Sequence, residues 1–305
     1  MKVQLSRRTF IAQAATVVAL SAVRSSKTLA AEERPVGLEL YTVGTALTED
    51  PAGTLKKIKA IGYEEVEISG FAKLAPAVLR GLVDDAGLKC PAAHLQFGFD
   101  ETGKVLEQAK DLRVPYAASS ILLPEALSGG GMAGVLGKLN TLTADDFKKI
   151  ADRANRIGEQ AKKAGVQFAY HNHTHEFRDL GGGKTGYEIL LAETEPGLVQ
   201  FEADCGWMTV AGANPVEYFR RAPERYRVIH VKDFPPSTKV TTEMGGPNMP
   251  HPTQLGQGHI DYKPVLAAAS QAGVKHFFVE QDPPMVGMTA LEAAAIDYKY
   301  LRSIV

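Results

Sequence analysis

The chain has 305 residues, 45% of them hydrophobic and 23% charged, a composition that excludes both a disordered polymer and a membrane-spanning body. The formal charge of −1 hides an uneven layout, because residues 1–30 hold Lys2, Arg7, Arg8, Arg24 and Lys27 and no acid. Without that stretch 29 basic residues face 35 acidic ones, and a net charge of −6 speaks against nucleic acid as a partner.

An apolar run from Phe10 to Val23 separates the early charges, the layout of a cleavable leader, and it is too short to span a bilayer comfortably. Ser6-Arg7-Arg8-Thr9-Phe10-Ile11 resembles a bacterial twin-arginine signal, and Thr28-Leu29-Ala30 or Leu29-Ala30-Ala31 offers small residues for cleavage. The expectation is a signal peptide over residues 1–30, a mature domain over residues 31–305, and a periplasmic protein with no membrane anchor once the signal is removed. The resemblance implies export in the folded state. An amphipathic helix that happens to carry an Arg-Arg pair is the plainer alternative. Cys90 and Cys205 allow at most one disulfide; both sit in apolar, strand-like segments, which predicts buried free thiols.

From residue 36 onward, β-rich runs alternate with helical stretches eight times. The strands are expected at Val36–Val43, Glu64–Ser69, Lys89–Phe97, Tyr116–Leu123, Gln167–His173, Val199–Trp207, Tyr226–Phe234 and His276–Asp282. The helices follow near Pro51–Ile61, Ala72–Ala86, Thr102–Leu112, Ala144–Ala164, Thr185–Thr194, Pro215–Ala222, Tyr262–Ala272 and Thr289–Ser303. Gly62, Gly87, Gly165 and Gly273 stop helices before the next strand, as left-handed caps do. Eight successive units predict an α/β fold, a single (β/α)8 TIM barrel, over an open doubly wound sheet. The first turn, Tyr41-Thr42-Val43-Gly44-Thr45, also lacks a dinucleotide loop. Two connections are longer, Pro124–Leu142 and Pro235–His259. In a barrel both lie over the C-terminal face, either as covers for a substrate or as surface insertions.

Three of the eight histidines fall together in Tyr170-His171-Asn172-His173-Thr174-His175-Glu176-Phe177, at the end of the fifth strand. Alternation puts His171 and His173 on one face, where both imidazoles can point toward the barrel axis. The sixth strand adds Glu202 and Asp204 on one face of an apolar run. The seventh adds His230 and Lys232, and the eighth adds Glu280 after three large apolar residues. One such residue is more often a cap or a satisfied core polar group. Four consecutive strands delivering metal-competent groups at one end point to one divalent ion, manganese, zinc, cobalt or magnesium, in a mixed His/carboxylate shell with open positions. Ion pairing of the same groups with Lys232 or arginines is the structural alternative. Glu39, Glu67 and His94 extend the polar mouth, as substrate contacts or as ordinary hydrogen-bonding groups. Trp207 either stacks on a sugar or fills the mouth.

This order of motifs resembles the xylose-isomerase-like superfamily from about Val36 to the C-terminus, a group containing sugar isomerases, ketose 3-epimerases, inosose dehydratases and endonuclease IV. The resemblance implies a metal held at the ends of strands five to eight, with Asp204, His230 and Glu280 matching the family's Asp, His and Glu. At the fifth strand His171 stands in place of the family's Glu, with Glu176 as the rival ligand; Trp207 stands where a substrate-binding His is common. The Y-H-N-H-x-x-E-F and D-x-G-W runs, with Leu255-Gly256-Gln257-Gly258-His259-Ile260-Asp261, resemble a subgroup generally called sugar phosphate isomerases/epimerases.

The implied chemistry is proton abstraction beside the carbonyl of a sugar or keto-sugar, through an enediolate. Glu280 is the base, Glu176 or His173 replaces the missing second acid or base, and Lys232 steadies an oxyanion. Isomerisation or epimerisation leads. A two-glutamate epimerase mechanism, however, loses one glutamate to His171, so a periplasmic keto-sugar lyase or hydratase of the 3-keto-glycoside type follows closely. A metal-containing sugar-binding protein without turnover is the third reading. The sequence leaves the sugar, the metal and a homo-oligomeric state open.

Overall fold

The computed structural model describes residues 34–127 and 131–305; the signal peptide expected over residues 1–30 lies outside the described residues. Eight parallel strands pair in sequence order: β1 (Val36–Glu39), β2 (Glu65–Ser69), β3 (Lys89–His94), β4 (Tyr116–Ser119), β5 (Gln167–His171), β6 (Val199–Asp204), β7 (Tyr226–Val231) and β8 (His276–Val279). β8 returns to β1 and closes the barrel, so the expected TIM barrel is the fold. The connecting helices are α1 (Gly44–Glu49), α2 (Pro51–Ile61), α3 (Pro76–Asp85), α4 (Thr102–Asp111), α5 (Gly131–Leu139), α6 (Ala144–Lys163), α7 (Gly186–Glu193), α8 (Cys205–Val210), α9 (Pro215–Arg221), α10 (Tyr262–Gln271) and α11 (Ala290–Arg302).

Local chemistry explains the helix boundaries. Thr143 and Asp146 form a reciprocal capping box at the start of α6, and Thr289 and Glu292 do the same for α11. Along α6, Phe147, Ile150, Ala151, Ala154, Ile157 and Ala161 make one buried stripe against the barrel. Gly62, Gly87, Gly165 and Gly273 all have positive φ, as their stop positions require. α3 starts at Pro76 rather than Ala72. Proline holds Ala75 extended, and Ala72 and Lys73 take positive φ ahead of it.

Strand ends differ from expectation in one consistent way: several expected strands run too far. The Glu39 carboxylate accepts the Tyr41 N–H and turns the chain into a 3-10 segment at Leu40–Val43. The Asp204 carboxylate accepts the Trp207 N–H at 2.7 Å and caps α8, so Cys205–Trp207 is helix rather than strand. The connection after β4 carries a 3-10 turn at Glu125–Leu127 and α5, and is not a bare loop. Beyond β7 the carboxylate of Asp233 accepts backbone N–H groups from Phe234, Gly256, Gly258 and Ile260. A Cβ on Gly258 would lie 2.0 Å from that carboxylate, which gives the L-G-x-G-x-I-D segment a structural reason.

Alternation sorts the barrel interior into layers. Near the bottom, His276 Nδ1 lies 2.8 Å from Glu65 Oε2. Above them Ala92, Val228 and Phe278 form a small apolar cluster, and a Cβ on Gly37 would lie 2.3 Å from the Phe278 ring. One step further along the same strands come the ionisable groups of the C-terminal mouth. They therefore stand on an apolar plug, which makes unpaired charge costly. Cys90 and Cys205 are both buried and free, as expected.

Candidate functional site

Two imidazoles form the centre of the mouth. His171 from β5 and His230 from β7 lie with ring centroids 4.7 Å apart. Each has a buried carboxylate at one ring nitrogen: His171 Nδ1 is 2.9 Å from Glu202 Oε2, and His230 Nε2 is 2.8 Å from Glu67 Oε2. The other nitrogen of His230, Nδ1, is 2.8 Å from Glu280 Oε2. The register of the β2–β3 pair shifts between Glu65 and Glu67, and that of β6–β7 shifts between Phe201 and Glu202. Such irregularities re-aim side chains, and here they fall at the two backing carboxylates.

His171, Asp204 and His230 each offer a donor atom within 4.8 Å of the others; the overlapping trios His94–His171–Glu202 and Glu67–Glu202–His230 meet the same limit. A divalent ion fits the first trio best. Burial, reinforced by the charges of His230 and His94, pushes the His171 pKa well below its ordinary value and keeps it as the neutral, ligating imidazole. Donation from Nδ1–H to Glu202 leaves Nε2 of His171 free. His230 is paired at both ring nitrogens, with Glu67 and Glu280; burial lowers its pKa, but Glu202, Glu280 and Glu67 raise it well above the ordinary value, so it is an imidazolium that would release a proton to take an ion. A carboxylate behind a ligand imidazole fixes its tautomer and raises its basicity. Buried oxygens without a hydrogen-bond partner, Glu67 Oε1, Glu202 Oε1 and Asp204 Oδ2, complete an oxygen-rich and electron-rich set. Glu280, the expected fourth ligand, touches this set through His230.

Lys232, two residues beyond His230 and just past the end of β7, is 1% exposed. Its ammonium is 2.9 Å from Glu280 Oε2, 2.7 Å from Asp282 Oδ2 and 3.2 Å from Asp204 Oδ2; the last is a close charge contact not directed as a hydrogen bond. Three carboxylates surround this ammonium, and Lys232 is not among the residues lining the cavity. Burial alone would raise the Glu280 pKa, but Lys232 and His230 hold it well below the usual carboxylate value, and it is ionised. The Lys232 ammonium also sits 4.9 Å from the centre of the Trp207 ring. Trp207 is itself buried and off the cavity wall, so it fills the mouth instead of offering a stacking face.

Glu176, the rival ligand, is fully buried in the turn after β5. Its Oε1 lies 3.0 Å from the Tyr170 hydroxyl, and Oε2 accepts the His173 N–H at 3.0 Å. Burial pushes its pKa up to about 8, so at neutral pH it is a protonated brace within the turn and stands outside the ligand trio. His173, by contrast, reaches the cavity. Burial, aided by the charge of His171, drives its pKa well below the ordinary value, and Nδ1 has no hydrogen-bond partner.

The cavity above these groups measures about 240 Å³. Glu39, His94, His171, His173, Glu280 and Asp282 form its ionisable wall, and Ser69, Gln96, Ser119 and Ser120 add uncharged donors and acceptors. His94, an expected substrate contact, lines it with Nε2 3.0 Å from Ser120 Oγ. Glu67, also expected to touch substrate, lies off the wall behind His230. Both long connections reach the cavity, through Leu136 of α5 and through Met244. They are clasped together: Asn140 Nδ2 donates to the Met244 carbonyl at 2.9 Å, and the Met244 N–H donates to Asn140 Oδ1 at 2.7 Å. Sequence reasoning left open whether these connections cover the site, and it passed over Asn140, a polar residue just before Thr141-Leu142-Thr143. The alternation of Gln281 and Asp282 after Glu280 was the signal available for Asp282.

Comparison with known proteins bears on the same region. The model of the family described as xylose isomerase-like TIM barrel matches residues 55–304. An inosose dehydratase of Lacticaseibacillus casei is 26% identical over 267 residues, covering 80% of this chain and 86% of that protein. A sugar phosphate isomerase/epimerase from Parabacteroides distasonis superposes with a TM-score of 0.70 at 23% identity, covering 90% of this chain and 96% of that one. The IOLI protein, solved with a binding zinc atom, superposes with a TM-score of 0.63 at 18% identity, covering 89% and 98%. At these identities the solved structures speak to the fold alone.

Proposed function

Because the chain belongs to the xylose isomerase-like TIM barrel family, we propose that it is a divalent-metal-dependent lyase or hydratase acting on a cyclic keto-sugar. The observation that carries the reading is the pair of imidazoles, each backed by a buried carboxylate, converging with Asp204 beside one ionised glutamate. His171, Asp204 and His230 would hold the ion, with Glu280 at its edge; the zinc in the IOLI protein supports a metal here without fixing which. When bound, such an ion supplies Lewis acidity at the substrate's oxygens, easing loss of the neighbouring proton.

The remaining chemistry belongs to the side chains. Glu280, kept ionised by Lys232 and His230, takes the proton from the carbon beside the carbonyl. The C–O bond one carbon further breaks, a C=C bond forms, and the proton held on Glu280 passes to the departing oxygen. One carboxylate thus closes the cycle. That suits a mouth whose β5 side presents neutral His171 and His173 where a two-base epimerase needs a second carboxylate. Lys232 tethers Asp204, Glu280 and Asp282 in place. The inosose dehydratase relatives support elimination over isomerisation, reversing the order expected from the sequence. Export through the leader over residues 1–30 is part of this proposal, and it favours a free or glycosidic keto-sugar over a phosphorylated one.

The test is incubation of metal-replete protein in D2O with a panel of inososes and 3-keto-glycosides. Deuterium beside the carbonyl of recovered substrate, together with an α,β-unsaturated ketone or its diketone tautomer as product, is the expected result. Exchange with an isomeric ketose and no unsaturated product would return the reading to isomerisation. Binding without exchange across the panel would leave a sugar-binding protein and sink the enzymatic reading.

A further inference from the structure

The cavity is ordered by depth. Its ionisable groups sit at or just beyond the strand ends, whereas its apolar members other than Leu95, namely Tyr41, Phe99, Ile121, Leu136 and Met244, come from the connections above them. Among the described residues six large hydrophobic side chains are exposed, and the only two aromatic ones, Tyr41 at 49% and Phe99 at 45%, both line this cavity. Scattered exposed hydrophobics need no explanation, but two aromatic rings at the rim of a charged cavity do.

Both rings are carried on pinned backbone. Tyr41 lies in the 3-10 turn that the Glu39 carboxylate caps through the Tyr41 N–H. Phe99 follows a turn in which Arg153 of α6 donates to the carbonyls of Phe97 at 3.0 Å and Leu123 at 2.8 Å. Gly98, beside it, passes so close to the next connection that a Cβ would lie 1.8 Å from the Ile121 carbonyl oxygen. Rings held this way bind with little ordering cost. Trp207, which the sequence left as either a stacking face or a filler of the mouth, is buried beside Lys232, so Tyr41 and Phe99 are the exposed aromatic faces among the described residues lining the cavity.

We propose that the site takes a two-part ligand, a polyhydroxylated ring on the ionisable floor joined to an apolar ring-shaped substituent against Tyr41 and Phe99. Resting on the keto-sugar reading, this narrows the substrate class to glycosides with an aromatic or similarly flat aglycone, which would be the leaving group of the elimination. The C–O bond to the aglycone breaks as the C=C bond forms, and the aglycone oxygen departs with the proton taken by Glu280.

The test titrates the metal-loaded protein with phenyl β-D-glucoside and methyl β-D-glucoside, which bind without reacting because they lack the ketone. The wild type should prefer the phenyl compound by about tenfold. In Phe99→Ala and Tyr41→Ala the ratio of phenyl to methyl affinity should fall toward one. Equal affinities in the wild type, or a preference that survives in both variants, would overturn the role of the two rings while leaving the keto-sugar reading intact. If neither glucoside binds at millimolar concentration and the keto-sugar panel gives no exchange, the underlying reading fails and the two-part ligand goes with it.

Discussion

Replacing Glu176 by glutamine separates a buried brace from a metal ligand. Burial raises this carboxyl from 4.5 to about 8, so the folded protein holds a proton on it that the unfolded chain releases above pH 4.5. The contribution to stability is complete below pH 4.5 and is lost as pH rises through 8. At ~1.36 kcal/mol per pKa unit this amounts to as much as ~5 kcal/mol across that window. Glutamine fits the neutral site. Its carbonyl can accept the His173 N–H, as the acid's Oε2 does, and its amide NH2 can donate to the Tyr170 hydroxyl oxygen, which in the wild type donates to Oε1. Urea unfolding of both proteins from pH 5 to 9 should therefore show the variant gaining on the wild type as pH rises, with Glu176→Gln the more stable at pH 9. Subtracting the two curves removes the other raised groups, Asp204 near 6 and Glu67 and Asp297 near 7, which the proteins share. Metal content should be equal. Parallel curves, or loss of the ion from the variant, would refute the assignment and return Glu176 to the ligand set.

Asp204→Asn keeps the oxygen that caps Trp207 but weakens the donor trio, and elemental analysis should show the ion lost while far-UV circular dichroism stays native. Glu202→Gln removes the charge behind His171, and metal titration should give a dissociation constant raised about 10- to 100-fold. Asn140→Ala cuts both bonds of the clasp between the two long connections, worth roughly 1–3 kcal/mol. Limited proteolysis should then cleave residues 124–142 or 235–259 faster; an unchanged cleavage rate would mean that other contacts hold the cover. Arg7→Lys with Arg8→Lys should leave the protein in the cytoplasmic fraction, and continued recovery from the periplasm would dismiss the twin-arginine reading.

The barrel was legible because its signals are local: an apolar run followed by a helical stretch, repeated eight times, with glycine stops at Gly62, Gly87, Gly165 and Gly273. The strand ends were less so. Glu39 and Asp204 look like the continuation of alternating strands, yet each folds its carboxylate onto the next turn's N–H and ends the strand there. The histidines were visible as a cluster, but their partners were not. Glu67 and His230 are 163 residues apart and meet only across the barrel, so β2's Glu-x-Glu-x-Ser pattern could be read as a polar mouth and no more. The surroundings of Lys232 were hidden for a related reason: its three carboxylates come from β6 and from the segment after β8, and they gather around one ammonium only in three dimensions.

The pairing of β1 with β8 through Val36–Phe277, Gly37–Phe278 and Leu38–Val279 sets a clock on biogenesis. The two strands are roughly 240 residues apart, so at ~5–20 residues per second the ribosome needs on the order of 10–50 s to deliver the partner of the first strand. Throughout that interval the nascent chain carries β1 with an open edge, and each newly made strand offers another. Holdase chaperones have their longest opportunity there, and a stalled or truncated transcript lacking residues 276–279 would release a sheet that cannot close. Closure of the barrel, unlike the pairing of its earlier neighbouring strands, waits until synthesis is nearly complete.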